Sequence, residues 1–146
     1  MQKLLSLLLI AAMYACQSKN APAPDPYPAG GLEGKVWQLT LFAVGPEPRE
    51  VQAGTTVTIK FEGGKIEGHG GCNGYGATYA SNVQQLSINN ITATEMYCDN
   101  ASEQESRFFE QLRFAQRYSV RGAIMEIDCG DMGNLVFRLH EQKTGE

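Results

Sequence analysis

The chain has 146 residues, 42% of them apolar and 19% charged. That is enough for one domain with its own core, and the composition is that of an ordinary globular protein. The formal net charge is −4 and no basic cluster is dense enough to neutralise several phosphates, which argues against nucleic acid as a partner.

The first element in chain order is a leader. Lys3 supplies a positive start, and Leu4 to Ala12 form an apolar run too short to span a bilayer as a helix. Met13-Tyr14-Ala15-Cys16 follows, with a small residue directly before the cysteine and the polar Gln17-Ser18-Lys19-Asn20 after it. This resembles a bacterial lipobox, with Met13 and Tyr14 where Leu and a small residue are usual. On this reading residues 1–15 are a signal peptide and Cys16 is acylated, palmitate included, to become the new N-terminus. An ordinary cleaved secretory leader is the alternative. The first places the chain on the bacterial cell envelope, lipid-anchored at the outer membrane or periplasmic face, and the second makes it secreted. Residues 16–31 then form the lipidated cysteine and a tether. Pro22, Pro24, Pro26 and Pro28 alternate with other residues and favour an extended spacer, which at ~3.1 Å per residue holds a domain up to ~45 Å from its anchor.

From residue 32 the pattern turns to short alternating runs. Trp37, Leu39 and Leu41 share one face, as do Val57, Ile59 and Phe61. Glu62-Gly63-Gly64-Lys65 signals a two-residue hairpin. In the next strand Ile66, Gly68, Gly70 and Cys72 point one way and Lys65, Glu67, His69 and Gly71 the other, which sends Cys72 inward and His69 to solvent. Asn73-Gly74 reads as the reversal before a return strand beginning Ala77-Thr78-Tyr79. Leu86 and Ile88 alternate, and so do Thr94, Met96 and Cys98. Ser102 opens a capping box with Glu105, and Phe108, Phe109, Leu112 and Ala115 recur at helical spacing. Met125 and Ile127, then Leu135, Phe137 and Leu139, mark two closing strands joined by a turn over 131–134. One helix among about seven or eight strands predicts a mostly β domain, a single compact antiparallel barrel or sandwich packing one helix.

The run Gly68 to Tyr79, GHGGCNGYGATY, is the densest concentration of chemistry-bearing residues. A phosphate loop needs glycines with a Lys and a hydroxyl, opening a helix; no GxxxxGK[ST] occurs, and Asn73 stands where GxGxxG wants its third glycine. A Cys nucleophile needs a histidine within reach, but His69 and Cys72 are an odd number of residues apart on a strand, and His140 meets Cys72 only if the fold brings it there. There is no CxxC, HxxxH or HExxH, so no metal set is expected. The carboxylate pairs Glu103/Glu105 and Asp128/Asp131 read as solvated positions, with Glu103 spaced to pair with Arg107. Arg113, Arg117 and Arg121 make a basic stripe if the helix runs that far. The glycines therefore read as places of close backbone approach or a bulge, and no catalytic residue or cofactor is expected.

With Cys16 lipidated, Cys72, Cys98 and Cys129 remain. Cys72 and Cys98 fall on the inward phase of their strands, which predicts a Cys72–Cys98 bridge worth ~3.5 kcal/mol through the unfolded chain. Cys129 shares the phase of Met125 and Ile127 and reads as a buried free thiol.

Val36-Trp37-Gln38-Leu39, the GHGGCNGY run with Tyr79, Leu86-Ser87-Ile88, the Thr94–Cys98 segment, the helix sequence EQESRFFEQL, and then GAIMEI and NLVF together resemble the META domain, or HslJ-like, family. Gly70, Gly71, Asn73, Tyr79, Thr94 and Met96 carry the motif; the likeness covers about residues 33–140, and the META domain is expected at 32–146. It departs at Ala77, where the family usually has Gly and where Gly76 takes over the backbone role, and at Cys129, which lies outside the pattern. The resemblance implies a compact β-rich domain on an envelope lipoprotein linked to tolerance of heat and antibiotics, with no established catalytic mechanism. The expected function is non-enzymatic binding of an envelope protein or small ligand by a domain held at the membrane through its lipid. A small-ligand carrier, a protein-inhibitor module and a Cys/His hydrolase are the alternatives.

Overall fold

The computed structural model describes residues 31–140. The predicted leader, Cys16 and the tether up to residue 30 lie outside the described residues. Among the described residues the strands are β1 (Val36–Ala43), β2 (Arg49–Glu50), β3 (Val57–Glu62), β4 (Lys65–Gly70), β5 (Gly74–Asn82), β6 (Gln85–Ala93), β7 (Arg117–Arg121), β8 (Ile124–Asp128) and β9 (Asn134–Leu139), of which β2 and β7 are not among those expected, with one α-helix, α1 (Ser102–Arg113), between β6 and β7. All strand pairings between these elements are antiparallel, and β1 pairs with both β3 and β9. The sheet thus closes on itself as an eight-stranded barrel, with β2 added beside the far half of β1. Closure decides between barrel and sandwich; β6 and β7 meet only at Gln85 and Arg117, and α1 packs against β6.

The alternation that predicted the strands works because one face of each is inside. Val57, Ile59 and Phe61 are fully buried, as are Leu135 and Phe137. In β1 the alternation breaks. The register with β9 slips between Leu39 and Leu41, so Trp37, Leu39 and Phe42 face the core while Leu41 is only half-buried. A bulge inserts one residue and flips the phase beyond it, which corrects the placement of Leu41.

Gly63 and Gly64 form the expected hairpin, both at positive φ between the paired Glu62 and Lys65. The next reversal is not at Asn73-Gly74. His69 pairs with Gly74 and the Gly70 N–H donates to the Asn73 carbonyl at 2.8 Å, so Gly71 and Cys72 make the turn, with Gly71 at φ 117°. β5 skips register around Ala77, opposite Asn90 at φ 54°. The extra residue is on β6, where Asn90 and Ile91 face the single Ala77. At the β5–β6 tip, Val83 takes φ 54° between the paired Asn82 and Gln85 and is 85% exposed. A β-branched residue is strained there. Val83→Gly is expected to raise stability by ~1 kcal/mol, read as a higher denaturation midpoint at unchanged slope.

Helix α1 plugs one end of the barrel, packing against β4 and β6. Phe108, Phe109 and Leu112 are buried as expected, and Ala115 is buried just beyond the helix. Tyr75, Phe108, Phe109 and Phe137 meet edge-on or tilted at 5.1–6.5 Å between ring centres. The helix stops at Arg113. Arg117 and Arg121 lie on β7, so the arginines form no helical stripe; Arg117 pairs instead with Asp128 at 3.0 Å.

The barrel has two distinct ends. The start of β1, the tips at 63–64, 83–84 and 122–123, and the end of β9 lie at the end where the described chain begins, called the tether end after the spacer expected before it. The 94–98 segment and α1 lie at the helix end. At the tether end Leu32 is buried and accepts a bond from the Trp37 indole at 3.3 Å, while Glu33 bridges to Phe61 and accepts from the Tyr79 hydroxyl.

Candidate functional site

The glycine run is built around two close approaches. A Cβ at Gly68 would lie 2.1 Å from the Thr58 carbonyl oxygen and 2.8 Å from the Tyr75 ring. Tyr75 pairs with Gly68, and its hydroxyl donates to that same Thr58 carbonyl at 3.1 Å. Burial pushes the Tyr75 hydroxyl well above its usual range, so it stays a neutral donor. A Cβ at Gly70 would lie 2.6 Å from Glu105 Oε2 and 2.7 Å from the Phe109 ring. Two backbone positions are therefore kept bare so that a ring and a carboxylate can sit on them.

The carboxylate is the unexpected element. Glu105 lies in the first helical turn, is 6% exposed and forms no capping box. Its Oε2 accepts from the Cys72 N–H at 2.9 Å and the Asn73 N–H at 2.6 Å, and Oε1 accepts from Asn73 Nδ2 at 2.6 Å. The helix N-cap is Ala101, without a side-chain bond, and Ser102 exchanges hydrogen bonds with the Cys98 backbone at 3.0 Å. Glu105 is thus not a solvated group, whereas Glu103 is, paired with Arg107 at 3.1 Å.

Asn73 is 4% exposed and has every side-chain valence in use. Besides Glu105, Nδ2 donates to the Met96 carbonyl at 3.0 Å. Oδ1 accepts from Thr94 Oγ1 at 2.8 Å and from the Met96 N–H at 2.7 Å. Thr94 to Cys98 is consequently not a paired strand but an extended segment held by one side chain, with the Met96 side chain 60% exposed. Cys98 closes the arrangement through a disulfide to Cys72, spanning 26 residues. Gly70, Asn73, Thr94 and the Met96 backbone meet in one node joined to Glu105, with Asn73 and Glu105 buried and Thr94 at its exposed rim. Tyr79 stands apart at the tether end, edge-on to Phe61 at 5.0 Å, its hydroxyl pushed up to about 12 by burial and then by Glu33.

His69 is exposed, and its Nδ1 accepts from the Gly71 N–H at 3.2 Å; His140 meets Gln38 at 3.0 Å at the tether end. With Cys72 in a disulfide, no Cys72 thiol stands beside either imidazole. Cys129 is the free cysteine among the described residues, 1% exposed and pushed up to about 12 by burial and then by Asp128. Gly130 and Arg117 hold Asp128 below its ordinary range. Among the described residues no group of three His, Cys, Asp or Glu is placed to hold a metal ion. Trp37, Phe61, Phe108 and Phe137 fill the interior. A groove of about 640 Å³, lined by Ala80, Asn82, Ser87, Gln116 and Arg117 among others, runs over the outer wall.

Breaking the disulfide as Cys72→Ala/Cys98→Ala is expected to lower stability by ~3.5 kcal/mol. In the native wild-type protein Cys129 is expected to resist alkylation until denaturant is added, read by intact mass.

Sequence reasoning missed the Glu105–Asn73 pairing. Its one signal was an inward-facing Gly70 with no residue assigned to fill the space above it.

A closed eight-stranded barrel plugged by one helix, with a bridged Gly-Gly-Cys-Asn turn bonded to a Thr-x-Met-x-Cys segment, defines a class of small β domains with an internal polar node. The family model for the META domain matches residues 31–142, and the chain belongs to that family. Among solved structures, an NMR structure of a protein from Burkholderia xenovorans is similar with a TM-score of 0.68 at 22% identity, covering 86% of this chain and 97% of that one. The crystal structure of a DUF4847 family protein from Bacteroides vulgatus is similar with a TM-score of 0.56 at 12% identity, covering 77% and 96%. At these identities the likeness is one of fold. No curated protein matches the chain in sequence.

Proposed function

We propose that this META domain is a non-enzymatic binding module, held at the bacterial envelope through lipid on Cys16, that supports survival under heat or antibiotic stress. The observation that carries the reading is the saturation of the signature: Asn73, Glu105, Thr94 and both signature cysteines bond to one another. A reacting group needs an unspent nucleophile, acid or base facing substrate, and the motif offers its polar atoms inward. The leader and the proline tether support export and attachment, and the family resemblance supports the stress role.

Two measurements test this. Intact mass of the exported protein should show loss of residues 1–15 and acylation of Cys16. A strain lacking the gene should survive heat or antibiotic exposure less well, and wild type and His69→Ala, but not Cys16→Ala, should restore it. Turnover of a substrate by purified protein, abolished by one exposed polar substitution that leaves the melting temperature unchanged, would overturn the reading.

A further inference from the structure

Charge is sorted along the barrel axis. Among the described residues the tether end carries Lys35, Lys60, Lys65, Arg121 and Arg138 against three carboxylates, Glu33, Glu62 and Glu67. Two of those carboxylates are engaged, Glu62 with Lys60 at 2.6 Å and Glu33 with the Tyr79 hydroxyl. The helix end is the reverse: Glu47, Glu50, Glu95, Asp99, Glu103 and Glu110 are all exposed there, against Arg49, Arg107 and Arg113. Among the described residues one end is therefore locally positive, in a chain of net charge −4, and it is the end where the described chain starts, at Gly31.

We infer that the tether end is a docking surface for an anionic lipid bilayer, which the domain meets end-on. This rests on the lipid-anchor reading. A spacer of up to ~45 Å brings the domain to the bilayer without choosing which face it shows. The potential of an anionic leaflet decays within a Debye length, ~8 Å at physiological salt, whereas tilted strands of five to nine residues make a barrel wall roughly 13–24 Å tall. Only the nearest end feels the field, so the basic end is drawn in and the acidic helix end is turned away. Val83 adds a bare apolar side chain on the β5–β6 tip at the same end, where a bilayer interface accepts it.

The test uses the mature chain from Cys16, acylated by the host or coupled through Cys16 to a maleimide lipid, on vesicles of phosphatidylcholine alone or with phosphatidylglycerol. Backbone hydrogen exchange is the readout. Amides at 62–65 and 121–124 are expected to exchange at least ~5-fold more slowly on the anionic vesicles, as about one basic contact would produce, with α1 unchanged. The difference should vanish at ~1 M salt, where the Debye length is ~3 Å, and in the Lys65→Glu/Arg121→Glu variant, whose two sites are exposed. Equal exchange on both vesicle types, or protection at the helix end, overturns the inference. So does absence of protection while the chain stays bound through its lipid, the result expected if the end docks on a protein instead. An unacylated Cys16 in the native protein would refute the anchor reading alone, since the maleimide-coupled chain still reports which end faces the lipid.

Discussion

Glu105→Ala is expected to destabilise the domain by ~4–5 kcal/mol, seen as a large fall in the denaturation midpoint at unchanged slope. The substitution strands the N–H groups of Cys72 and Asn73 and one donor of Asn73 Nδ2 in the interior. Each buried donor left without a partner costs about 1–3 kcal/mol. It also opens space over Gly70 and Phe109. The magnitude discriminates between two accounts. A residue that only completed a capping box would cost ~1 kcal/mol on removal. Glu103→Ala, at an exposed position in the same turn, serves as the control and should stay within ~0.5 kcal/mol. A loss at Glu105 no larger than at Glu103 would show that the node contributes little.

Gly68→Ala is expected to cost ~4 kcal/mol. Its Cβ would meet the Thr58 carbonyl oxygen at 2.1 Å, and that atom belongs to the neighbouring strand's backbone. Relief requires β3 and β4 to part or the Tyr75 ring to leave its place. Overpacking of this kind costs about 1–3 kcal/mol, and loss of the Tyr75 hydroxyl bond adds ~1 kcal/mol. Gly76→Ala is the matched control. There the nearest heavy atom to a new Cβ is the Ile66 carbonyl oxygen at 3.6 Å, an ordinary contact, so the change should stay within ~1 kcal/mol. Equal tolerance at the two positions, measured by urea unfolding, would contradict the close-approach account.

Much of the architecture was legible because a half-buried strand writes its own period into the chain. Val57, Ile59 and Phe61 alternate because one face is always core, and Gly63-Gly64 marks the reversal because both residues take positive φ. The Cys72–Cys98 bridge was read from an inward strand phase at both cysteines, and it forms although neither lies in a strand, Cys72 being in the turn after β4 and Cys98 in the segment after β6. β2 has two residues, too few to show a period. β7 was hidden by arginines spaced four apart, a pattern that a helix and a strand both satisfy on one face.

The amino-acid sequence by itself determined where most of the strands run, which residues they turn inward where no bulge intervenes, and that Gly68 and Gly70 stand at close backbone approaches, because these depend on a residue and its near neighbours. Only the tertiary structure decided what fills the space above those glycines, where β1 slips phase, and that β9 returns to β1. Glu105 follows Asn73 by 32 positions, and its role as cap or core anchor is set by donors that no local pattern contains. A buried polar group takes its identity from its hydrogen-bond partners, and folding chooses those partners from distant parts of the chain.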